Sequence, residues 1–325
     1  MLRRDFLSVL GSAAAWPLAA QAQQPAVPVV GLFFAGQPET YATTLAAFRR
    51  GLSEVGFVEG RNLTIEYRWA NNDRARLPEL AADLVRRNVN VIAAPQLSAA
   101  LAAKAATTTI PIVFQTGGDP VEVGLVASFN RPGGNLTGTT TMGQELTAKR
   151  FALLHELKPD TAPLALLTHP ANPNLELLIR ESQAAAASFK RPIEVMYAST
   201  RQDIDMIFAS LAQKRIGGLA IPTENFLTTR RVQTATLAIR HSIPTIYGER
   251  ADAAAGGLMS YGTDSNEQSR QVGVYVGRIL NGEKPGDLPI ARATKFQFVI
   301  NLQTATTIGI NVPPGLLAIA DEVIE

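Results

Sequence analysis

An apolar run followed by an amphipathic stretch recurs along this chain in a fixed order, and that order is written twice. The run VPVVGLFF (27–34) is nearly continuous, as a strand covered on both faces requires. Leu45, Phe48, Leu52 and Val55 then fall at i, i+3, i+7 and i+10, one face of a helix, with Gly56 placed to close it. NLTIEYRW (62–69), a stripe of Leu77, Leu80, Leu84 and Val85, VNVIAAP (89–95), an alanine-rich stretch and IPIVFQT (110–116) continue the alternation. Strands separated by helices pair in parallel, so the pattern predicts an α/β fold.

The order returns with PLALLTH (163–169), PIEVMYA (192–198), GGLAIPT (217–223), IPTIYGE (243–249) and GLMSYG (257–262), with stripes such as Leu175, Leu178, Ile179 and Ser182 between them. Two similar lobes are the simplest account. Both halves place Ile-Pro before their fourth strand, at Ile110-Pro111 and Ile243-Pro244, where a residue without an amide donor suits a strand's start. A helix over 264–281 carries Val272, Val276, Ile279 and Leu280 in register; the charged break NGEKPGD, a strand TKFQFVIN (294–301) and a short helical tail follow. A chain that builds one lobe, then another, and still has material left can cross back. Hinge strands are therefore expected at 136–142, 257–262 and 290–296, dividing the chain into an N-terminal lobe (27–142 with 263–290) and a C-terminal lobe (143–262 with 291–325).

The chain opens MLRRDFLSVLGSAAAWPLAAQAQQ, with a basic start, a short apolar stretch and Ala20 and Ala22 spaced as A-x-A. That is the pattern of a cleaved export signal over residues 1–22. The stretch is shorter than the roughly 20 residues a membrane span needs and is broken by Pro17, and Arg3-Arg4 with Asp5, Phe6 and Leu7 resembles the twin-arginine signal. Cysteine is absent, which excludes disulfides, thiolate nucleophiles, cysteine-held metals and a lipid-modified cysteine at the cleavage point. The expectation is a soluble periplasmic protein. Net charge is +2, or +1 without Arg3, Arg4 and Asp5, and no basic stripe marks a nucleic-acid partner.

TGGDPVEVGLVASFNRPGGNLTG (116–138), YGERADAAAGGLMSYG (247–262) and FQFVINLQTATTIGINVPPGLLAIADEVI (296–324) resemble the hallmark segments of the ABC-transporter substrate-binding family that includes tryptophan- and tyrosine-binding members. The resemblance runs from about Val27 to the C-terminus. It implies the type I periplasmic binding protein fold, with two Rossmann-like lobes of parallel sheet, a three-strand hinge and a ligand in the cleft. It also implies a small-molecule ligand and, as partners, a membrane permease with its ATPase. A monomer without cofactors is expected.

In open α/β sheets ligands sit beyond the carboxyl ends of the strands. The loops placed there are AGQPET (35–40), PQLSA (95–99), TGGDPVE (116–122), HPANPN (169–174), PTENF (222–226) and YGERAD (247–252). Gly117 and Gly118 allow close backbone approach, yet the loop lacks both the Walker lysine and the dinucleotide spacing, and Asp119 would repel a phosphate. It reads as a pocket wall, or as a turn in which Asp119 caps a helix begun by Pro120. Glu39, Asp119, Glu122, Glu224 and Glu249 recur on these loops against one permanent cation, Arg250, which suits a ligand amine. Phe33, Phe34, Phe226 and Tyr247 suit an apolar wall, and helix starts behind Gln37 and Asn172 suit a carboxylate. The candidate ligand-binding residues are Phe34, Gln37, Gln96, Thr116, Asp119, Asn172, Thr223, Asn225, Tyr247 and Glu249, and the candidate ligand is an aromatic or branched-chain amino acid or related zwitterion.

Catalytic motifs are missing. Of His155, His169 and His241 only His169 falls on a cleft loop, no H-E-x-x-H or G-x-S-x-G occurs, and Asp321 and Glu322 read as a solvated face. A transport receptor is the first reading and an exported α/β enzyme the alternative.

Overall fold

The computed structural model describes residues 27–141 and 143–325; the export signal lies outside the described residues, as does Met142 at the end of the first expected hinge strand. In chain order the first half runs β1 (Val29–Phe34), α1 (Ala42–Glu54), β2 (Thr64–Trp69), α2 (Leu77–Arg86), β3 (Val91–Ala94), α3 (Leu97–Ala106), β4 (Ile112–Thr116) and β5 (Leu136–Thr140). The second runs α4 (Gly143–Leu157), β6 (Leu164–Thr168), α5 (Leu175–Ser188), β7 (Ile193–Tyr197), α6 (Arg201–Gln213), β8 (Gly218–Ile221), α7 (Asn225–Thr228), α8 (Arg231–Arg240), β9 (Thr245–Tyr247), α9 (Arg250–Ala254) and β10 (Met259–Thr263). Then come α10 (Ser265–Leu280), β11 (Ala291–Arg292), β12 (Phe296–Asn301), α11 (Leu302–Thr307), α12 (Pro314–Ile319) and β13 (Glu322–Ile324).

Two sheets result. The first has the order β11-β5-β4-β3-β1-β2 and is parallel throughout; the second has the order β13-β12-β10-β9-β8-β6-β7 and is parallel except where β10 meets β12. The first five strands of each half adopt one order, second-first-third-fourth-fifth, so each sheet has a switch point between its first and third strands. The Ile-Pro pairs do the same work in both lobes. The Pro111 carbonyl accepts the Ile92 amide of β3 and the Pro244 carbonyl accepts the Leu219 amide of β8, each at 2.8 Å. Proline thus keeps its acceptor in the ladder while its missing donor falls just before the strand.

The chain passes between the sheets three times. After β5 it enters α4, which packs on β8, β9 and β10; after β10 it returns to α10, which packs on α1 and on β3, β4 and β5; between β11 and β12 it passes back once more. The α1–α10 contact is held close by glycines. A Cβ on Gly51 would lie 1.9 Å from the Arg270 carbonyl oxygen and one on Gly273 would lie 2.2 Å from that of Phe48, so the two backbones meet with no side chain between them. Val272 and Val276 of α10 are fully buried beside Phe48 and Leu52 of α1. Ala291 and Arg292, expected in the C-terminal lobe, pair instead with Thr139 and Thr140 of the first sheet. The tail is not only helical: β13 adds a parallel edge to β12.

Candidate functional site

The two sheets face each other with the carboxyl ends of their strands, and the loops at both switch points meet there. From the first lobe come the loops after β1 and β3, carrying Tyr41 and Gln96; from the second come those after β6 and β8, carrying Asn172, Asn174, Thr223, Glu224 and Asn225. They enclose, with the neighbouring loops, a cavity of about 510 Å³. That lies within the roughly 300–1,000 Å³ usual for small-molecule sites.

Hydrogen bonds cross the cleft directly. Tyr41 donates its hydroxyl to Asn225 Oδ1 at 2.6 Å, and Gln96 Nε2 donates to the same oxygen at 2.9 Å and to the Tyr41 hydroxyl at 2.7 Å. Asn225 Nδ2 in turn donates to Asn72 Oδ1 at 2.8 Å, while Gln96 Oε1 accepts the Ala35 amide at 2.6 Å and so is fixed from behind. Arg74 also reaches across and donates to the Ala171 carbonyl. The amide of one second-lobe residue, Asn225, is therefore held by three first-lobe side chains.

Charge in the cavity is mixed. Arg74, Arg150 and Arg231 line it together with Glu181, Glu224, Glu249 and Asp264, and Arg250 lines it too. Arg231 pairs with Glu249 and Asp252, each at 3.0 Å, and Ser265, at the start of α10, donates to Glu249 Oε1 at 3.2 Å. Burial and the Glu249 charge push Asp252 well above the usual carboxylate range, and burial lowers Arg150 to about 10 while its Nε donates to the Tyr261 carbonyl at 2.7 Å. Glu224 is pushed up to about 7, chiefly by burial, against the pull of Arg74, the amides of His169 and Leu227, and Arg230. Burial raises the Tyr41 phenol well above its ordinary value, so it stays a neutral donor.

Six of the ten candidate residues line the cavity: Gln96, Thr116, Asn172, Thr223, Asn225 and Glu249. Phe34, Gln37, Asp119 and Tyr247 are not among its lining residues. Phe34 is buried against Trp69, ring centroids 4.5 Å apart, and also meets the ring of cavity-lining Tyr41, centroids 5.0 Å apart. Tyr247 is sealed in the core of the second lobe, Gln37 is exposed, and Phe226 packs under the Arg230 guanidinium. Asp119 Oδ1 accepts the amides of Val121 at 2.7 Å and Glu122 at 3.3 Å, closing a turn rather than capping a helix.

Gly117 and Gly118 do line the cavity, and a Cβ on Gly118 would lie 2.9 Å from Asn174 Oδ1 of the opposite lobe. The glycine loop is thus a wall that lets the second lobe approach. Arg250 is not the only cation at the cleft. Arg74 follows β2, at a carboxyl-end loop outside the six expected to form the site, and Arg150 and Arg231 lie within helices rather than on loops. Tyr41 stands one residue past the loop assigned to 35–40. Asp321 and Glu322 are engaged: Asp321 accepts the Phe298 amide at 2.7 Å and Glu322 pairs with Arg250 at 2.5 Å.

This geometry is that of a receptor that encloses a small solute between two lobes, and the chain belongs to the ABC transporter substrate binding protein family, whose model matches residues 37–324. It is 27% identical over 257 residues to the tyrosine-binding protein of Clostridioides difficile strain R20291, covering 79% of this chain and 74% of that one. Among solved structures it is similar to a conserved domain protein from Vibrio cholerae, at 25% identity and a TM-score of 0.85, covering 91% of this chain and 99% of the other. It is also similar to an ABC domain from Streptococcus pneumonia in complex with L-Trp, at 20% identity and a TM-score of 0.84 with the same coverage. Among the described residues no helix is long and apolar enough to cross a membrane, and no cluster of His, Asp and Glu is set to hold a metal ion.

Proposed function

We propose that this protein is the periplasmic solute receptor of an ABC importer: it captures a zwitterionic solute, an aromatic or branched-chain amino acid or a related compound, closes about its three crossings, and presents the closed form to a membrane permease driven by an ATPase. The observation that carries the reading is the cavity between the lobes, whose walls bring both signs of charge and whose rim is joined by the Asn225 hydrogen bonds. Leu97, Leu146, Leu177 and Leu178 give it apolar wall for a side group, with Tyr41 as the aromatic member. Arg74 supplies a cation for a carboxylate and Glu224 an anion for an amine. The tyrosine-binding relative and the L-Trp-bound neighbour support an amino acid over other solutes of this size.

Closing of two lobes on a ligand by a few crossing segments is an established mode of domain motion. The energy comes from contacts that exist only when the lobes meet, so the solute stabilises the closed state by its differential affinity for it. A ligand at about 100 times its dissociation constant raises folding stability by about 2.7 kcal/mol. Thermal denaturation with each standard amino acid is therefore expected to show a raised melting temperature for one or more aromatic or branched-chain members. A flat response across all of them would remove the amino-acid reading.

A further inference from the structure

We propose that a groove on the second lobe, separate from the cleft, is a second small-molecule site that takes an anion with one aromatic ring and one carboxylate. Its volume is about 320 Å³, at the lower end of the range usual for such sites, which suits one ring rather than several. The groove is not a branch of the cleft cavity. Along β12, Phe296 and Phe298 line the groove while Gln297 between them lines the cavity, and successive side chains of a strand point to opposite faces. Along α4, Lys149 and Leu153 form a stripe one turn long in the groove, while Leu146 and Arg150 form the corresponding stripe in the cavity.

Its body is apolar and open to water. Leu153 and Phe298 are buried, whereas Phe296 is 37% exposed and Ile319, at the end of α12, is 51% exposed. Single exposed apolar residues are ordinary, and Val58 and Val121 are exposed without lining either the cavity or the groove. Meeting in one concavity, such residues leave contiguous apolar surface for a ligand to cover. Aromatic rings dominate it. The rings of Tyr261 and Phe296 lie 6.2 Å apart and 22° from parallel, and those of Tyr261 and Phe298 lie 6.4 Å apart at 66°. A further flat ring extends such a cluster by offset or edge contacts, worth more than the area alone.

Charge fixes the other end of the ligand. Lys149 has neither an ion pair nor a hydrogen bond with any described residue, so its ammonium brings three donors and a full charge to the groove. Its methylene stem adds apolar wall. Asp321, the other charged lining residue, is engaged with β12: its Oδ2 accepts the Phe298 amide at 2.7 Å, and its own amide donates to the Phe298 carbonyl at 2.9 Å. Lys149 is therefore the charge that a ligand completes, and a carboxylate is an acceptor that makes strong, charge-assisted bonds to an ammonium. A phosphate or a sugar would call for more polar partners than this groove offers.

The test is a methyl NMR titration of isoleucine- and leucine-labelled protein near neutral pH with 3-phenylpropionate, 3-phenylpropan-1-ol and 3-phenylpropylamine, which share a ring and differ in charge. Leu153 and Ile319 report on the groove, and Leu146 and Leu177 on the cleft. The acid is expected to shift Leu153 and Ile319 saturably and to bind more tightly than the alcohol, with the amine weakest. Lys149→Gln should weaken the acid roughly three- to tenfold and leave the alcohol unchanged, as a half-buried charge contact requires. Phe296→Ser should weaken all three probes, and Ile319→Ser serves in its place if that variant does not fold. Shifts confined to Leu146 and Leu177, an amine that binds as tightly as the acid, equal weakening of acid and alcohol in Lys149→Gln, or no shift up to the solubility of the probes each overturn the assignment. A dimer in sedimentation that Phe296→Ser dissociates would give the groove to a second copy of the chain and overturn it as well.

Discussion

Asn72→Gly isolates the cost of cleft closure from contact with the ligand. Asn72 is not a lining residue of the cavity, yet its Oδ1 accepts Asn225 Nδ2 across the cleft at 2.8 Å. Its backbone sits at φ 66, the left-handed region that glycine adopts freely, so the substitution removes the side-chain acceptor and keeps the turn. The Asn72 amide still donates to the Ala35 carbonyl at 2.8 Å. One neutral hydrogen bond is worth about 0.5–1.5 kcal/mol net, and it exists only when the lobes meet. If the empty protein is mainly open, the dissociation constant rises about two- to twelvefold. If the empty protein is mainly closed, the same free energy appears instead as opening before ligand is added. Calorimetry and small-angle scattering on the same samples read both quantities. Any loss of melting temperature from glycine's larger unfolded-state entropy is shared by open and closed forms and leaves both readings intact. An unchanged dissociation constant together with an unchanged radius of gyration would refute the idea that the Asn225 bonds hold the lobes together.

Gly118→Ala puts a methyl group 2.9 Å from Asn174 Oδ1, so it should weaken ligand binding with little change in melting temperature; unaltered affinity by calorimetry would make the glycine loop scaffold alone. Gly273→Ala forces a Cβ to within 2.2 Å of the Phe48 carbonyl oxygen, and such overpacking is expected to cost about 1–3 kcal/mol in urea denaturation. A midpoint equal to wild type would mean that α1 and α10 are not in close contact. Glu224 has its pKa raised to about 7, so its ionised form destabilises the folded chain above that pH, and the folded state gains on the unfolded one as pH falls toward 5. Glu224→Gln should then be more stable than wild type at pH 8, by on the order of 1–3 kcal/mol, with the difference gone by pH 5; a difference independent of pH would contradict the burial argument.

Much of the architecture was legible because periodicity survives translation into structure. Continuous apolar runs such as Val29–Phe34 and alternating helical stripes such as Leu45, Phe48 and Leu52 each admit one kind of element, and the second copy of the order repeats the first. Short edge elements leave too little pattern: β11 has two residues and β13 three, and β13 pairs only because β12 offers it an edge. The site was partly legible, since loops at the strands' carboxyl ends follow from topology, and Gln96, Asn172 and Asn225 lie where that rule puts them. Side-chain direction was not. Phe34 and Tyr247 end their strands pointing into the cores, and Asp119 answers to amides two and three residues away, contacts that no loop list encodes. Arg150 and Arg231 come to the cavity from helices, so only the packing of α4 and α8 brings them there.

The proposed role requires that the cavity between the lobes take one amino acid. Titration of the folded wild-type protein with L-tyrosine, L-tryptophan and L-leucine in a calorimeter tests it most directly. Saturable heat with one site per chain is expected for at least one of them, with a negative heat-capacity change from burying the apolar side group and roughly 10- to 100-fold weaker binding in Glu224→Gln. Absence of heat for all three at concentrations up to the millimolar range, from protein shown to be folded, would contradict it.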